Sequence, residues 1–175
     1  FYNHIIFANP PIKPTTQMSS SPNTNWIFTI KKEPTKVVFK AKGHPGFLKV
    51  HGKSTTGLTG RITKKNKHLN GTISFDLNTL DTGIGLRDKH MKKKYLHTKQ
   101  HPNATLKVDV DLLKKKITLT EFLENKKEGV TITFETPITL TINGIEKELP
   151  CKITLEWKKN KIQIRSILQT TLKNH

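Results

Sequence analysis

The chain has 175 residues, of which 33% are hydrophobic, and it carries 31 Lys and Arg side chains against 13 Asp and Glu, a formal net charge of +18. This length suits one domain with its own core. No apolar run reaches the roughly 18 residues that a membrane-spanning helix needs, which excludes such a helix.

The positive charge has two interpretations. It suits a basic module that binds nucleic acid or another anionic polymer, and it also suits a protein that contacts an anionic membrane surface. Arginine, whose fork is the preferred reader of bases and phosphates, occurs only at Arg61, Arg87 and Arg165. Nucleic acid is therefore the less favoured partner.

The beginning of the chain lacks a core pattern. Residues 9–25 are rich in Pro, Ser and Thr and show no periodicity, and the apolar residues 1–8 resemble the stub of a leader. We expect 1–25 to be a disordered or extended N-terminal leader, as a native tail or a leader remnant, and 26–173 to form one β-domain.

From residue 26 onward, apolar and polar residues alternate with a period of two, as in half-buried strands. Turn signals such as Asn143-Gly144 separate the runs. About eight strands with short connections favour an all-β fold with a short helical insert, an extended eight-stranded antiparallel lipocalin-like barrel. In chain order the apolar positions are Trp26, Phe28 and Ile30; Val37, Phe39 and Ala41; Leu69, Ile73, Phe75 and Leu77; Ala104, Leu106, Val108, Val110 and Leu112; Val130, Ile132, Phe134, Ile138, Leu140 and Ile142; Leu149, Cys151, Ile153, Leu155 and Trp157; and Ile162, Ile164, Leu168 and Leu172.

One segment, Thr82–His101, breaks the alternation, and we call it the insert. Its glycines are followed by a run, 86–96, that predicts two to three turns of helix, with an acid near the start and lysines toward the end. We expect the adjacent pair Arg87 and Asp88 to tie the insert to the barrel wall. An excursion of this kind often covers a barrel mouth, so we expect the functional site here.

Motifs for catalysis and metal binding are missing. The chain has no G-x-S-x-G elbow, and its single cysteine, Cys151, lies inside a predicted strand as a buried structural thiol. The spacing of His90, His97 and His101 does not match a zinc motif. We therefore expect no enzyme activity, no metal and no cofactor.

The insert carries a family resemblance. The sequence Asp81-Thr82-Gly83, the element at 87–91 (RDKHM) and His101-Pro102 resemble the hallmark segment of the YceI-like family. Weaker similarities lie upstream at Gly52, Leu58, Gly60 and Ile62, and downstream at Leu140, Thr141, Ile142, Gly144, Ile145 and Lys147, so that the resemblance covers about 26–172. It implies a lipocalin-like barrel, usually exported to the periplasm, that binds a polyisoprenoid, an isoprenoid quinone or a fatty-acyl amphiphile in its lumen.

The leading hypothesis is that the protein sequesters or carries a long-chain lipid or isoprenoid in the lumen, in the periplasm or as a secreted protein. The alternatives are a basic module for nucleic acid or anionic polymer, and a stress-related barrel without a ligand. Contact with an anionic membrane surface and a homodimer are left open. The expected ligand-binding residues are Phe28, Phe39, Phe75, Leu86, Arg87, His90, Met91, Tyr95, Leu106, Phe134, Ile142 and Trp157, with the polar head near Arg87, His90 or Tyr95.

Overall fold

A computed structural model describes residues 2–8, 15–16, 25–30, 35–42, 49–113, 119–159 and 161–171. Strands dominate, as the alternation predicts. The strands are β1 (Tyr2–Ala8), β2 (Thr15–Thr16), β3 (Trp26–Ile30), β4 (Lys36–Lys42), β5 (Lys49–Ser54), β6 (Thr59–Lys65), β7 (His68–Asp76), β8 (Leu80–Asp81), β9 (Asn103–Asp111), β10 (Thr131–Ile142), β11 (Ile145–Lys158) and β12 (Lys161–Thr171). The helices are α1 (Gly85–Lys94) and α2 (Leu119–Asn125), with one 3-10 turn at Leu77–Thr79.

All the strands belong to one curled antiparallel sheet in the order β2-β3-β6-β7-β9-β10-β11-β12-β1-β4-β5-β8. The all-β antiparallel class is confirmed, together with the helical insert. The count of eight strands is wrong, because the described residues form twelve. Two of the additional strands, β2 and β8, have only two residues each, too few to show a period in the sequence.

The expected leader contains a strand of this sheet. Backbone pairing joins β1 to β12 on one side and to β4 on the other, so β1 lies inside the sheet order. The structure thus gives Tyr2–Ala8, expected as part of a disordered or extended leader, an extended conformation within the sheet. Its partners are distant in the sequence, and local composition does not reveal such pairing. Residues 9–14 and 17–24 of the expected leader lie outside the described residues.

Two glycines allow the sheet to curl between β6 and β7. Gly60 pairs with Ile73, and Gly71 pairs with Ile62 on the facing strand. A Cβ at either glycine would collide with the backbone of the partner strand. The strands therefore approach more closely here than residues with side chains would allow. The Asn70-Gly71 pair lies inside β7, whereas Asn143-Gly144 forms the turn between β10 and β11 with positive φ at both residues.

The inner face of the sheet holds the core. Most of the apolar positions in the predicted strands are buried, from Trp26 on β3 to Leu168 on β12, while Leu172 lies outside the described residues. The two helices lie at opposite ends of β10. Trp157, beside the start of β10, contacts α2, and the turn after Ile142 contacts the residue that follows α1. We call these two regions the α1 end and the α2 end.

Helix α2 is absent from the sequence predictions. It turns Leu119, Phe122 and Leu123 into the core, where all three are buried. Their i, i+3, i+4 spacing is the signal that could have revealed the helix. The indole Nε1 of Trp157 donates a hydrogen bond to the carbonyl oxygen of Phe122 at 2.7 Å, and their rings lie 5.9 Å apart.

Candidate functional site

An apolar cavity of about 390 Å³ opens at the α1 end. This volume falls within the range of about 300 to 1,000 Å³ that is typical of ligand sites. Its walls come from β4, β5, the segment 75–80, the insert and the end of β10. The lining residues are Val37, Phe39, Ala41, Val50, Phe75, Leu77, Leu80, Ile84, Leu86, Arg87, His90, Met91, Tyr95, Leu96 and Ile142.

Strand β4 supplies one wall because successive side chains of a strand point to opposite faces. Val37, Phe39 and Ala41 thus face the cavity together. The aromatic ring of Phe39 lies over Gly52 on β5, where a Cβ would collide with it. Glycine at this position lets the ring lie flat against the wall and leaves the interior open.

A hydrogen-bonded clamp holds the start of the insert. Arg87 donates from Nε to the hydroxyl of Thr82 at 2.8 Å and from Nη2 to the carbonyl oxygen of Thr82 at 2.7 Å. Asp88 accepts from the backbone N–H of Thr82 at 3.0 Å and from its hydroxyl at 2.5 Å. The pair therefore anchors the first turn of α1 to Thr82, the first residue of the insert. These bonds lie within the insert, whereas the sequence predicted a tie to the barrel wall.

The clamp also sets the charge state of Asp88. Burial raises the pKa of this carboxyl, but the hydrogen bonds from Thr82 and the attraction of Lys92 outweigh burial and bring the pKa below its usual 3.8. Asp88 is thus ionised at neutral pH, which is the state in which it accepts both bonds. Arg87 also bonds to Thr82, and its side chain in addition lines the cavity.

The far end of α1 rests on the β10–β11 turn. Asn143 donates from Nδ2 to the carbonyl oxygen of Tyr95 at 2.9 Å. The imidazole of His101 lies beside Gly144, which has a positive φ of 74°. The helix itself buries no side chain, although Leu96, two residues beyond its end, is buried. Polar contacts at its two ends thus hold α1 over the cavity.

The polar groups of the cavity lie on the insert. Arg87 and His90 line it, and the ring of His90 lies 5.7 Å from the ring of Tyr95. The two hydrogen bonds from Arg87 to Thr82 leave from Nε and Nη2. The remaining nitrogen, Nη1, has no acceptor among the described residues. An apolar interior with donors only at the rim suits a molecule with one polar end.

A second, smaller cavity of about 70 Å³ lies deeper in the core, and it shares no lining residue with the first. Its volume is well below the range of ligand sites. Leu140, which is fully buried on β10, lies between Ile138 of the second cavity and Ile142 of the first. The second cavity is therefore a packing space of the core and does not extend the first.

The structure divides the expected ligand residues into three groups. Three of them, Phe28, Leu106 and Phe134, line the second cavity. Trp157 lines neither cavity and packs at the α2 end. The residues brought together in the large cavity are Phe39, Phe75, Leu86, Arg87, His90, Met91, Tyr95 and Ile142.

Sequence reasoning missed part of the lining. Val37 and Ala41 alternate with Phe39 and could have been inferred from the same period. Val50 lies on β5, where exposed and half-buried residues alternate, but the other inward positions are Gly52 and Ser54, so the sequence shows no apolar face there. Leu77 begins the 3-10 turn and continues the period of Phe75, so it could have been inferred too. Leu80 follows that turn and Ile84 precedes α1, where no period applies.

Other chemistry has less support in the described part of the chain. Cys151 is buried as predicted, and burial raises the pKa of its thiol to about 12, so the thiolate nucleophile does not form at neutral pH. Three or more His, Cys, Asp or Glu side chains nowhere converge among the described residues as they would around a metal ion. Neither helix has the length and apolar character needed to cross a bilayer.

Comparisons with known proteins agree with this architecture. A family model described as the YceI-like domain matches residues 28–174. A solved structure of a polyisoprenoid binding domain from Saccharophagus degradans, implicated in plant cell wall breakdown, is similar with a TM-score of 0.53 and 12% identity, over 90% of this chain and 97% of that chain. At this identity the likeness shows the fold alone. No curated protein sequence matches the chain.

Proposed function

Since the chain belongs to the YceI-like domain family, we propose that it binds an apolar amphiphile in the cavity at the α1 end and sequesters or carries it. The observation that carries this proposal is the apolar lining of a cavity of about 390 Å³ whose polar side chains, Arg87, His90 and Tyr95, all lie on the insert. The name of the similar solved domain, which binds polyisoprenoid, supports an isoprenoid chain, and a fatty-acyl chain has the same chemistry.

The apolar chain of the ligand would lie against Val37, Phe39 and Ala41 on one side and Phe75 and Leu80 on the other. Each methylene that leaves water for this lining contributes roughly 0.8 kcal/mol. These residues offer no hydrogen-bonding side chain, so the interior selects for apolarity and length. It does not read a particular functional group.

The polar end of the ligand would stay at the rim. Nη1 of Arg87 faces no acceptor among the described residues and is held in place by the two bonds to Thr82. A carboxylate, phosphate or quinone oxygen would accept a hydrogen bond from it. His90 and Tyr95, which line the same rim, offer further polar contacts.

This proposal assigns binding and no catalysis. The thiol of Cys151 stays protonated and lies on the second cavity, away from the proposed ligand. The lining of the large cavity contains no carboxylate and no hydroxyl besides that of Tyr95. A location in the periplasm or outside the cell stays a prediction, which fractionation of cells that express the protein would test.

Mass spectrometry of organic extracts from the purified protein tests the proposal. We expect a long-chain amphiphile in the extract of the wild type and none in that of Ala41→Trp, because an indole at this wall position fills the cavity. Ser166→Val, on the lining of the second cavity, is the matched control and should keep the amphiphile. An empty wild-type extract, together with no thermal shift on adding quinones or fatty acids, would overturn the proposal.

A further inference from the structure

Exposed apolar side chains gather at the α1 end. Of the five large hydrophobic residues that are exposed in the described part of the chain, Ile84, Leu86, Tyr95 and Ile145 lie on the insert or on the turn that contacts it. Leu86 is 80% exposed and Ile84 is 53% exposed. Single exposed apolar residues are ordinary, but a cluster beside a cavity marks a surface that meets another phase or partner.

Cationic side chains surround this cluster. The insert contains six Lys and Arg residues and a single acid, Asp88, which Thr82 already engages. On α1, Leu86, Lys89 and Lys93 follow a spacing of three and seven, so they share one face of the helix. Lys89 and Lys93 are exposed there, and Lys94 is exposed next to Lys93 at the end of the helix. The face thus combines an apolar side chain with two amines.

We propose that this face is a docking surface for an anionic lipid bilayer, with the mouth of the cavity turned toward the membrane. Apolar side chains enter the boundary between headgroups and acyl chains, while lysines contact the lipid phosphates. Ile84, Leu86 and Tyr95 belong both to the exposed cluster and to the cavity lining. A lipid would pass from bilayer to cavity without crossing water, a consequence that rests on the proposed function.

The composition of the surface favours a bilayer over nucleic acid. A phosphate backbone is contacted by cationic and hydrogen-bonding groups, and an exposed leucine on the cationic face adds nothing to that contact. The insert has five lysines and one arginine, and Arg87 is bound to Thr82. Outside the insert, two acids lie beside the cluster in the chain: Asp81, which accepts a hydrogen bond from the backbone N–H of Gly83, and Glu146, which follows Ile145.

The α2 end provides a natural comparison. Leu113 is the fifth exposed hydrophobic residue, and it lies in a groove with Lys65 and Lys67. Asp111 shares that groove and accepts a hydrogen bond from the backbone N–H of Leu113. The groove lines no part of the large cavity. This groove therefore also has an exposed leucine and lysines, but no cavity opens beside them and an acid lies next to the leucine.

Flotation with lipid vesicles tests the proposal. The full chain should float with vesicles made of equal parts phosphatidylcholine and phosphatidylglycerol, and should stay behind with phosphatidylcholine alone. Replacing Lys89, Lys93 and Lys94 together by Gln should weaken binding on the order of one hundredfold, at roughly fivefold for each lysine. Leu86→Ser should weaken it roughly tenfold, because its side chain no longer enters the bilayer.

Matched controls come from the α2 end and its neighbourhood. Leu113→Ser, and Lys65, Lys67 and Lys127 replaced together by Gln, remove the same numbers of apolar and charged groups and should leave vesicle binding within about twofold, since their own distance from the membrane exceeds the Debye length of about 8 Å. Equal losses in both sets, or a Leu86→Ser variant that floats like the wild type, would overturn the proposal.

Two further outcomes distinguish membrane docking from ligand binding in the cavity and from nucleic-acid binding. Ala41→Trp fills the cavity but leaves the surface intact, so it should still float, and failure of the extraction experiment with normal flotation would contradict the proposed function alone. Tighter binding to double-stranded DNA than to the anionic vesicles, lost in the triple Gln variant and unchanged in Leu86→Ser, would overturn the membrane proposal in favour of nucleic acid.

Discussion

The two ends of the sheet carry one helix each, and the helices behave differently. Helix α2 turns Leu119, Phe122 and Leu123 into the core, and its backbone accepts a hydrogen bond from the buried Trp157. Helix α1 buries no side chain and is held by polar contacts at its two ends. One end is filled by its helix, and the other keeps a cavity beneath its helix.

This difference suggests that the α2 end contributes mainly to the stability of the fold and the α1 end mainly to ligand binding. Filling an end with apolar side chains stabilises the fold but leaves no room for a ligand. Covering an end with a helix that contributes little to the core keeps the space open and allows the cover to move at small cost. The predictions below test whether the two ends divide these tasks.

The largest expected effect concerns the filled end. Phe122→Ala should lower the free energy of unfolding by about 3 to 5 kcal/mol, because it removes a buried ring and leaves a cavity against Trp157. The matched change on the other helix, Leu86→Ala, should cost under about 0.5 kcal/mol, since Leu86 is 80% exposed. Urea unfolding of both variants makes the measurement, and similar losses in the two would break the comparison.

Replacing Lys64, a buried lysine on β6 at the α2 end, should have a smaller effect of opposite sign on the free energy of unfolding. Burial lowers the pKa of its amine below 10.5, and the charge of Glu124 only partly offsets this. Between the lowered pKa and 10.5 the unfolded chain binds more protons than the folded chain, so stability rises with pH there. At neutral pH the buried charge destabilises the fold.

Lys64→Met should therefore stabilise the protein at neutral pH by about 1 kcal/mol, because it removes the buried charge. The gain should shrink as the pH rises toward 10.5, where the wild-type amine becomes neutral in the folded state. Urea unfolding at several pH values checks both points, with the exposed neighbour Lys65→Met as the control. A destabilised Lys64→Met variant would show that the amine makes a favourable contact at this end.

The smallest expected effect is local to α1. The folded pKa of Asp88 lies below its usual 3.8, so its contribution is complete above 3.8 and is lost as the pH falls through the lowered value. Hydrogen-exchange protection of the Thr82 amide, which donates to Asp88, should decrease in that window while core amides stay protected. Asp88→Asn should abolish this pH dependence. Loss of core protection at the same pH would mean that the two ends are not independent.

The part of the site that could be predicted from the sequence lies on regular elements. Phe39, Phe75 and Ile142 follow the period of their strands, and the helix of the insert follows from its charges and flanking glycines. Phe28, Leu106 and Phe134 follow the same period but line the second cavity. The period of two indicates on which face of the sheet a side chain lies, but it does not indicate how far along the sheet the cavity extends.

The remainder of the fold depends on contacts between distant residues. Strand β1 is defined by pairing with β12 and β4 and has no clean alternation of its own. The sequence around Leu119 alternates with threonines like a strand, and only the spacing to Phe122 and Leu123 points to a helix. Trp157 follows the strand period, but its indole bonds to α2, a partner that the pattern does not contain.

The central claim is that the ligand lies at the α1 end, and nuclear magnetic resonance with a spin-labelled fatty acid tests it most directly. Met91 lines the cavity, whereas Trp26 and Trp157 lie at the α2 end, separated from it by the 12 residues of β10, roughly 36 Å. We predict that the label bleaches the Met91 methyl signal, assigned with Met91→Leu, and spares both indole signals. Bleached indoles with an unchanged Met91 methyl would contradict the account.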